Sequence, residues 1–294
     1  MQSLQLLSAH PCFGGEQRFY QHASNAIGLP MRFSVFLPAQ ALQADAAPVP
    51  AVMYLAGLTC TEETFVTKGG AQRVAAQLGL ALIAPDTSPR GAGIAGEADA
   101  WDFGVAAGFY LDATQEPWAK HYRMESYLLH DLLPLLQHAL PIDLQRLGLM
   151  GHSMGGHGAL TLALRNPTHF ASLSAFAPIC APTQCPWGVK AFTGYLGADT
   201  AHWQSHDACA LMAQRSTALY PRGILVDQGL GDKFLAEQLH PHLLEAACAT
   251  AGQPLTLRRH AGYDHGYYFI STFIEDHLRH HALSLVDLSK ADKC

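Results

Sequence analysis

Strands and helices alternate along most of this 294-residue chain, which predicts an α/β fold with a mostly parallel central sheet and helices on both faces. Three observations support that class. Short runs that read as strands recur at 52–55, 80–84, 147–150, 173–177, 224–227 and 255–259. Stretches with helical spacing of apolar residues lie between them. The residues best suited to chemistry follow directly after strands, at the carboxyl ends where open sheets of this kind place their sites.

Taken in order, Met31 to Leu37 alternates with period two and reads as an early strand ended by Pro38. Residues 39–50, AQALQADAAPVP, form a loop. Val52 to Leu55 is a buried strand leading into Ala56-Gly57-Leu58-Thr59-Cys60-Thr61-Glu62-Glu63. There Thr59 or Thr61 can cap a helix whose first turn is acidic. Ala71 to Leu78 is helical, and Leu80 to Ala84 is a strand stopped by Pro85. Residues 86–120 are a long irregular stretch rich in Gly, Ala, Trp and Pro, and such loops are usually functional. Tyr122 to Leu140 is helical, with Leu128, Leu132, Leu135, Leu136 and Ala139 on one face. Pro134 kinks it or starts a second segment. A strand at Leu173 to Ala177 leads to a second irregular loop, Pro178 to Gly197, carrying Trp187. Ile224 to Asp227 is a strand, 235–250 a helix, Leu255 to Arg259 a strand, and Tyr267 to His281 a closing helix. No repeat or low-complexity segment interrupts the pattern, so residues 1–294 read as a single domain.

Composition narrows the function. Charged residues make up 14% of the chain, against roughly 25% in typical soluble domains. With 49% hydrophobic residues, this implies a large core and a surface compatible with subunit contacts. A net charge of -6 and the lack of any basic run argue against nucleic-acid binding. No apolar stretch reaches the roughly 18 residues of a membrane span, and the first residues lack the pattern of a secretory signal. Seven scattered cysteines without a C-x-x-C pair suggest reduced thiols and a cytoplasmic protein. None of the seventeen histidines falls in H-E-x-x-H spacing. The group His277, His280, His281 lies near a helix C-terminus, where cations are favoured anyway. No metal site is expected.

The chemistry centres on Arg146 to Asn166, RLGLMGHSMGGHGALTLALRN. A short apolar strand enters Gly151-His152-Ser153-Met154-Gly155-Gly156 and leaves as a small, apolar helix ended by Asn166-Pro167. Strand, sharp turn and helix give G-x-S-x-G its meaning as a nucleophile elbow. Ser153 must sit on a strained backbone, with glycine two positions to either side letting strand and helix approach. A serine hydroxyl also needs a base, and the base an orienting acid. His265, in Gly262-Tyr263-Asp264-His265-Gly266 after the last strand, is the base candidate. His152 adjoins the serine and is expected to pack beside the site. Asp227, Asp232 and Asp264 are the acid candidates. Asp232 is favoured because its loop lets a carboxylate reach the far nitrogen of the histidine. Backbone donors for an oxyanion are expected at Met154 and at Leu58, in the loop after an early strand. Trp101, Phe103, Tyr110 and Trp187 can wall the acyl side, and Trp187 is the preferred wall.

Several stretches then carry a specific resemblance: AGLTCTEETFVTKGG (56–70), LIAPDTSPRG (82–91), WDFGVAAGFYLDAT (101–114), EPWAKHYRMESYL (116–128), GHSMGGHGAL (151–160), CPWGVKAFTGYLG (185–197), DQGLGDKFL (227–235) and GYDHGYYFISTFIEDHLRHHA (262–282). Together they cover most of the chain, and the sequence resembles the S-formylglutathione hydrolases of the esterase D family. The resemblance implies an α/β-hydrolase fold and a serine thioesterase that releases glutathione and formate, the last step of glutathione-dependent formaldehyde detoxification. It implies Ser153 as nucleophile, Asp232 as acid, His265 as base, and Leu58 and Met154 as oxyanion donors. Cys60 is the cysteine such proteins carry beside the site. A homodimer is implied, and no cofactor. The chain departs from the family pattern at Gly266, where serine is usual, and at Ala92-Gly93, where many members have Cys-Asn. A broad carboxylesterase using the same triad on short acyl esters is the alternative activity, and a ligand-binding relative without catalysis is the alternative class.

Overall fold

The computed structural model describes residues 4–286, so Cys294 lies outside the described residues. Nine strands form one sheet in the order β1-β2-β3-β5-β4-β6-β7-β8-β9. They are β1 (Gln5–Cys12), β2 (Gly15–Ala23), β3 (Pro30–Leu37), β4 (Val49–Leu55), β5 (Ala81–Pro85), β6 (Ile142–His152), β7 (Ser172–Phe176), β8 (Ile224–Gly229) and β9 (Leu255–His260). From β5 onward every neighbouring pair is parallel. The first three strands add antiparallel at one edge. The central strands β4, β5, β7 and β8 are buried along their whole length, as a sheet covered on both faces requires.

The alternation of β7 shows how the two faces are filled. Ser172 and Ser174 hydrogen-bond His281 and His277, and Phe176 stacks on His277, so these three side chains meet the closing helix Tyr267–Leu285. Leu173 and Ala175 therefore point the other way. There the helix Met154–Arg165 packs on β6 and β7. The closing helix also touches the helix Gln72–Leu78, while Met154–Arg165 touches Ala208–Ala213.

The sequence reading misses the hairpin of β1 and β2. β1 is exposed on both faces, so it has no apolar alternation to find. Its turn, Phe13-Gly14, holds both residues at positive φ, 49° and 75°. Such turns usually announce themselves as Asn-Gly or Asp-Gly, and phenylalanine gives no such signal.

Other boundaries shift for local reasons. Thr61, not Thr59, caps the helix Glu62–Lys68, its hydroxyl accepting from the Glu63 N–H at 3.2 Å. Thr59 stands at φ 68°. Pro134 starts a second segment: a wide turn at Tyr127–Leu132 gives way to the helix Leu133–Ala139, which spares the carbonyl four residues earlier from the proline ring. The expected helix 235–250 is broken at His240, φ 48°, and restarts as Pro241–Ala251. The stretch 178–197 is not an irregular loop. It contains the helix Pro186–Leu196, opened by proline at its first position and capped by the Cys185 sulfur, which accepts from the Gly188 N–H at 3.4 Å. Two glycines inside this helix allow close packing, Gly188 against the Pro182 carbonyl and Gly194 against the ring of Phe103.

The C-terminal histidines also need correction. They do not sit as cations at a helix end, because the helix runs on to Leu285. His277 and His281 are fully buried. Burial above all pushes both below the ordinary histidine range, with the Asp227 carboxylate opposing it at His277.

Candidate active site

Ser153 stands between β6 and the helix Met154–Arg165 at φ 58° and ψ −120°, a region that costs a non-glycine residue roughly 1–3 kcal/mol. Its backbone is held on both sides. The Ser153 N–H donates to the Phe176 carbonyl at 3.0 Å, and its own carbonyl accepts from the His157 N–H at 2.9 Å. The flanking glycines are required by close approach. A Cβ at Gly155 would stand 2.0 Å from the Leu55 carbonyl oxygen, and one at Gly151 would stand 2.0 Å from that of Gly155.

The loop after β4 lies directly against this turn: a Cβ at Gly57 would come within 3.1 Å of the Ser153 Cβ. The Thr59 N–H donates to the Ala106 carbonyl at 3.0 Å, and the Tyr110 hydroxyl donates to the Ala56 carbonyl at 2.8 Å. The Cys60 carbonyl accepts from Thr87 at 2.6 Å and from Arg90 at 3.2 Å. The long irregular stretch 86–120 is thus the brace of this loop. The Leu58 and Met154 N–H groups have no acceptor among the described residues, so both stay free to donate to an anion.

His265 follows β9, and its Nδ1–H donates to Asp232 Oδ2 at 2.5 Å. That bond leaves Nε2 as the ring nitrogen able to accept a proton. Asp232 is held in turn by the Phe234 N–H at 2.8 Å and by the Gln228 amide at 3.3 Å. The backbone bonds Leu230 N–H to His260 carbonyl and Gly231 N–H to Tyr263 carbonyl clamp the acid loop to the base loop.

The rival carboxylates are engaged elsewhere. Asp227 is fully buried and bound by Arg258 in a two-pronged fork, 2.6 and 2.5 Å, with His277 and His260 each at 3.3 Å. Burial alone would raise its carboxyl, but the bonds from His277 and Arg258 outweigh it and hold the group far below the usual carboxylate range. Asp264 is exposed and turns back to accept from the Gly266 N–H at 2.8 Å. His152 packs beside the site as expected, its ring centroid 4.5 Å from that of His265. Burial first and the His265 ring second keep it well below the ordinary histidine range.

Of the four aromatic wall candidates, two serve packing only. Phe103 stacks on Tyr195 and meets Trp118 edge-on, and Tyr110 is spent on bracing Ala56. The other two line up with the histidine. Exposed Trp101 meets Trp187 at 5.5 Å, Trp187 meets Phe234 at 4.6 Å, and Phe234 meets His265 at 5.1 Å. Trp187 is buried, its N–H bound to Gln238 at 3.0 Å. An ion pair from Lys190 to Asp102 ties its helix to the long loop. Cys60 is buried against Thr64 and Tyr267. The sequence reading passes over Phe234 and Gln228 as site residues. Gln228 and the Phe234 N–H act on nearby Asp232, and the Phe234 ring meets His265 far along the chain; no motif marks either residue.

Free donors, a strained serine and an oriented histidine together suit acyl transfer. Comparison with known proteins points the same way. The Esterase family model matches residues 24–280. S-formylglutathione hydrolase of Rattus norvegicus is 50% identical over 280 residues, covering 95% of this chain and 98% of that protein. That of Bos taurus is 49% identical over 284 residues, with the same coverage. An S-formylglutathione hydrolase structure from Agrobacterium tumefaciens superposes with a TM-score of 0.91 at 46% identity, over 96% of this chain and 99% of that one. A Staphylococcus aureus serine hydrolase that binds fluorophosphonates, 18% identical with a TM-score of 0.72, covers 91% of this chain and 98% of that one and shares the fold. The chain belongs to the esterase family of α/β-hydrolases that includes the S-formylglutathione hydrolases.

Proposed function

We propose that this chain hydrolyses S-formylglutathione to glutathione and formate, as the last step of formaldehyde detoxification. The observation that carries the chemistry is the 2.5 Å bond from His265 to Asp232, beside a serine held at φ 58°. Ser153 Oγ attacks the formyl carbon while His265 Nε2 takes its proton. The carbonyl oxygen becomes an oxyanion accepting from the Leu58 and Met154 N–H groups. Collapse breaks the C–S bond and expels the glutathione sulfur, which His265 protonates, leaving a formyl ester on Ser153. Water then attacks that ester with His265 again as base, and formate leaves. One domain supplies every group, and no cofactor enters. The free thiols among the described cysteines fit a reducing compartment such as the cytoplasm. The sparse surface charge and the exposed Leu6 and Leu7 on edge strand β1 suit a homodimer. Hydrolysis rates on S-formylglutathione, S-lactoylglutathione and a p-nitrophenyl ester series test the reading. A preference for the p-nitrophenyl esters would favour the general carboxylesterase instead.

The aromatic row ending at His265 supports Trp187 as the wall of a small acyl pocket. Rates should fall steeply from formyl to acetyl to butyryl thioesters of glutathione. An added methylene in a tolerant pocket changes binding by only about 1–3 kcal/mol, whereas steric rejection discriminates strongly. Trp187→Ala should narrow the formyl-over-butyryl preference by about tenfold or more, and a flat wild-type series would sink formyl selectivity. Cys60 is not expected to act as nucleophile. Burial, opposed by bonds to Thr64 and Tyr267, pushes its thiol above the usual range. Alkylation should therefore be slow at neutral pH, and its adduct should inhibit by displacing the loop that carries Leu58. Cys60→Ser should remain active and resist the reagent. Equal inhibition of that variant would implicate another cysteine.

A further inference from the structure

A cleft of about 530 Å³ opens at the far end of the loop that carries Leu58. Its lining includes Glu62, Glu63 and Asp86 against Arg32 and Arg90, one negative charge in excess. Asp86 is already satisfied, because Arg90 grips it in a fork with bonds of 2.7 and 2.8 Å. Glu62 is not. It is 4% exposed, yet its carboxylate has no hydrogen-bond or ion-pair partner on another residue among the described residues. Burial, and after it the neighbouring Asp86 carboxylate, push its carboxyl above the usual range. Arg32 is the converse. It is exposed and uses only its Nε, on Gln21 at 3.3 Å, leaving the two terminal nitrogens of its fork unengaged.

Glu62 and Arg32 feel each other's charge without forming an ion pair, and a buried carboxylate facing an open guanidinium fork is complementary to the zwitterionic end of an amino acid. We propose that this cleft holds the α-amino-acid end of the substrate's thiol half, with Glu62 taking the ammonium and Arg32 the carboxylate. The inference rests on the substrate being a thioester of glutathione, whose γ-glutamyl residue carries that free end. The cleft and the serine share one loop: a Cβ at Gly57 would come within 3.1 Å of the Ser153 Cβ, and Thr61, Glu62 and Glu63, a few residues on, line the cleft.

The test uses the full-length protein with Glu62→Gln, which keeps the volume and removes the charge. The substrates are S-formylglutathione, the same thioester with a glutaryl group replacing γ-glutamyl so that the amine is gone, and p-nitrophenyl acetate. Glu62→Gln should raise KM for S-formylglutathione about tenfold or more with kcat nearly unchanged. It should leave KM for the amine-free thioester and the rate on p-nitrophenyl acetate where they were. Calorimetric affinity for reduced glutathione should fall by the same factor. Unchanged KM and glutathione affinity in a variant that melts like wild type would overturn the subsite and leave the hydrolase reading intact, and so would an equal rise in KM for both thioesters. If wild type fails to turn over S-formylglutathione, the hydrolase reading falls, and the subsite is judged by whether glutathione binding depends on Glu62. Should Glu62→Gln unfold, exposed Arg32→Gln gives the same decision. It should raise KM for S-formylglutathione but not for an analogue lacking the γ-glutamyl carboxylate, and equal effects on both would overturn the proposal.

Discussion

Ser153→Ala is expected to lower kcat by on the order of 10⁴-fold or more while leaving the melting temperature close to wild type. The expected loss is large because, in the proposed triad, histidine, acid and oxyanion donors act as a unit around one oxygen atom, and without it they have nothing to activate. The fold should survive, because the backbone bonds to Phe176 and His157 do not involve the hydroxyl. Alanine at φ 58° bears much the same strain as serine. A fluorophosphonate probe should label wild type and not the variant. Labelling of another serine, with turnover retained, would refute the assignment.

The second large effect separates two aspartates five residues apart. Asp232→Asn should cut kcat by up to about 10⁴-fold, because an amide facing His265 Nδ1 favours the wrong tautomer. Its stability should change little. Asp227→Asn should do the reverse. It leaves Arg258 and two histidines facing a neutral amide in a fully buried position, and breaking a buried pair costs about 3–5 kcal/mol. The sign with pH follows from the depressed carboxyl of Asp227. Its contribution is complete above the unfolded-chain value of about 3.9 and is lost as pH falls below it. The stability gap between wild type and Asp227→Asn should therefore shrink in acid. Thermal melts at several pH values, paired with kcat, check both variants, and the reverse ranking would move the acid role to Asp227.

How far the site can be read from the sequence follows from how local each part is. Ser153 is legible because strand, turn, glycines and helix lie within one short stretch. His265 and Asp232 are legible through chain order after strands, but the choice between Asp232 and Asp227 turns on what each carboxylate faces. Asp227 is claimed by Arg258 on β9 and His277 on the closing helix, and no spacing rule brings those three together. Trp187 is singled out on the expectation of an irregular loop that the structure replaces with a helix. Two glycines inside that helix pack against Pro182 and Phe103. The hairpin β1–β2 is invisible because an edge strand wet on both faces carries no pattern. Glu62 reads as an ordinary first-turn acid until Asp86 and Arg90, brought in by β5, enclose it.

The clamp between the loops after β8 and β9 has a consequence for how activity emerges during synthesis. The strained turn at Ser153 is set by contacts with β4 and β7, all complete by residue 176. Asp232 and His265 arrive later, and His265 is fixed only once β9 has paired with β8. A chain that ends before β9 thus holds the segment with Ser153 but lacks His265, the proposed base. A serine without its base is a poor nucleophile, so on the proposed triad a chain short of His265 is chemically silent. Reactivity switches on with the last strand to join the sheet.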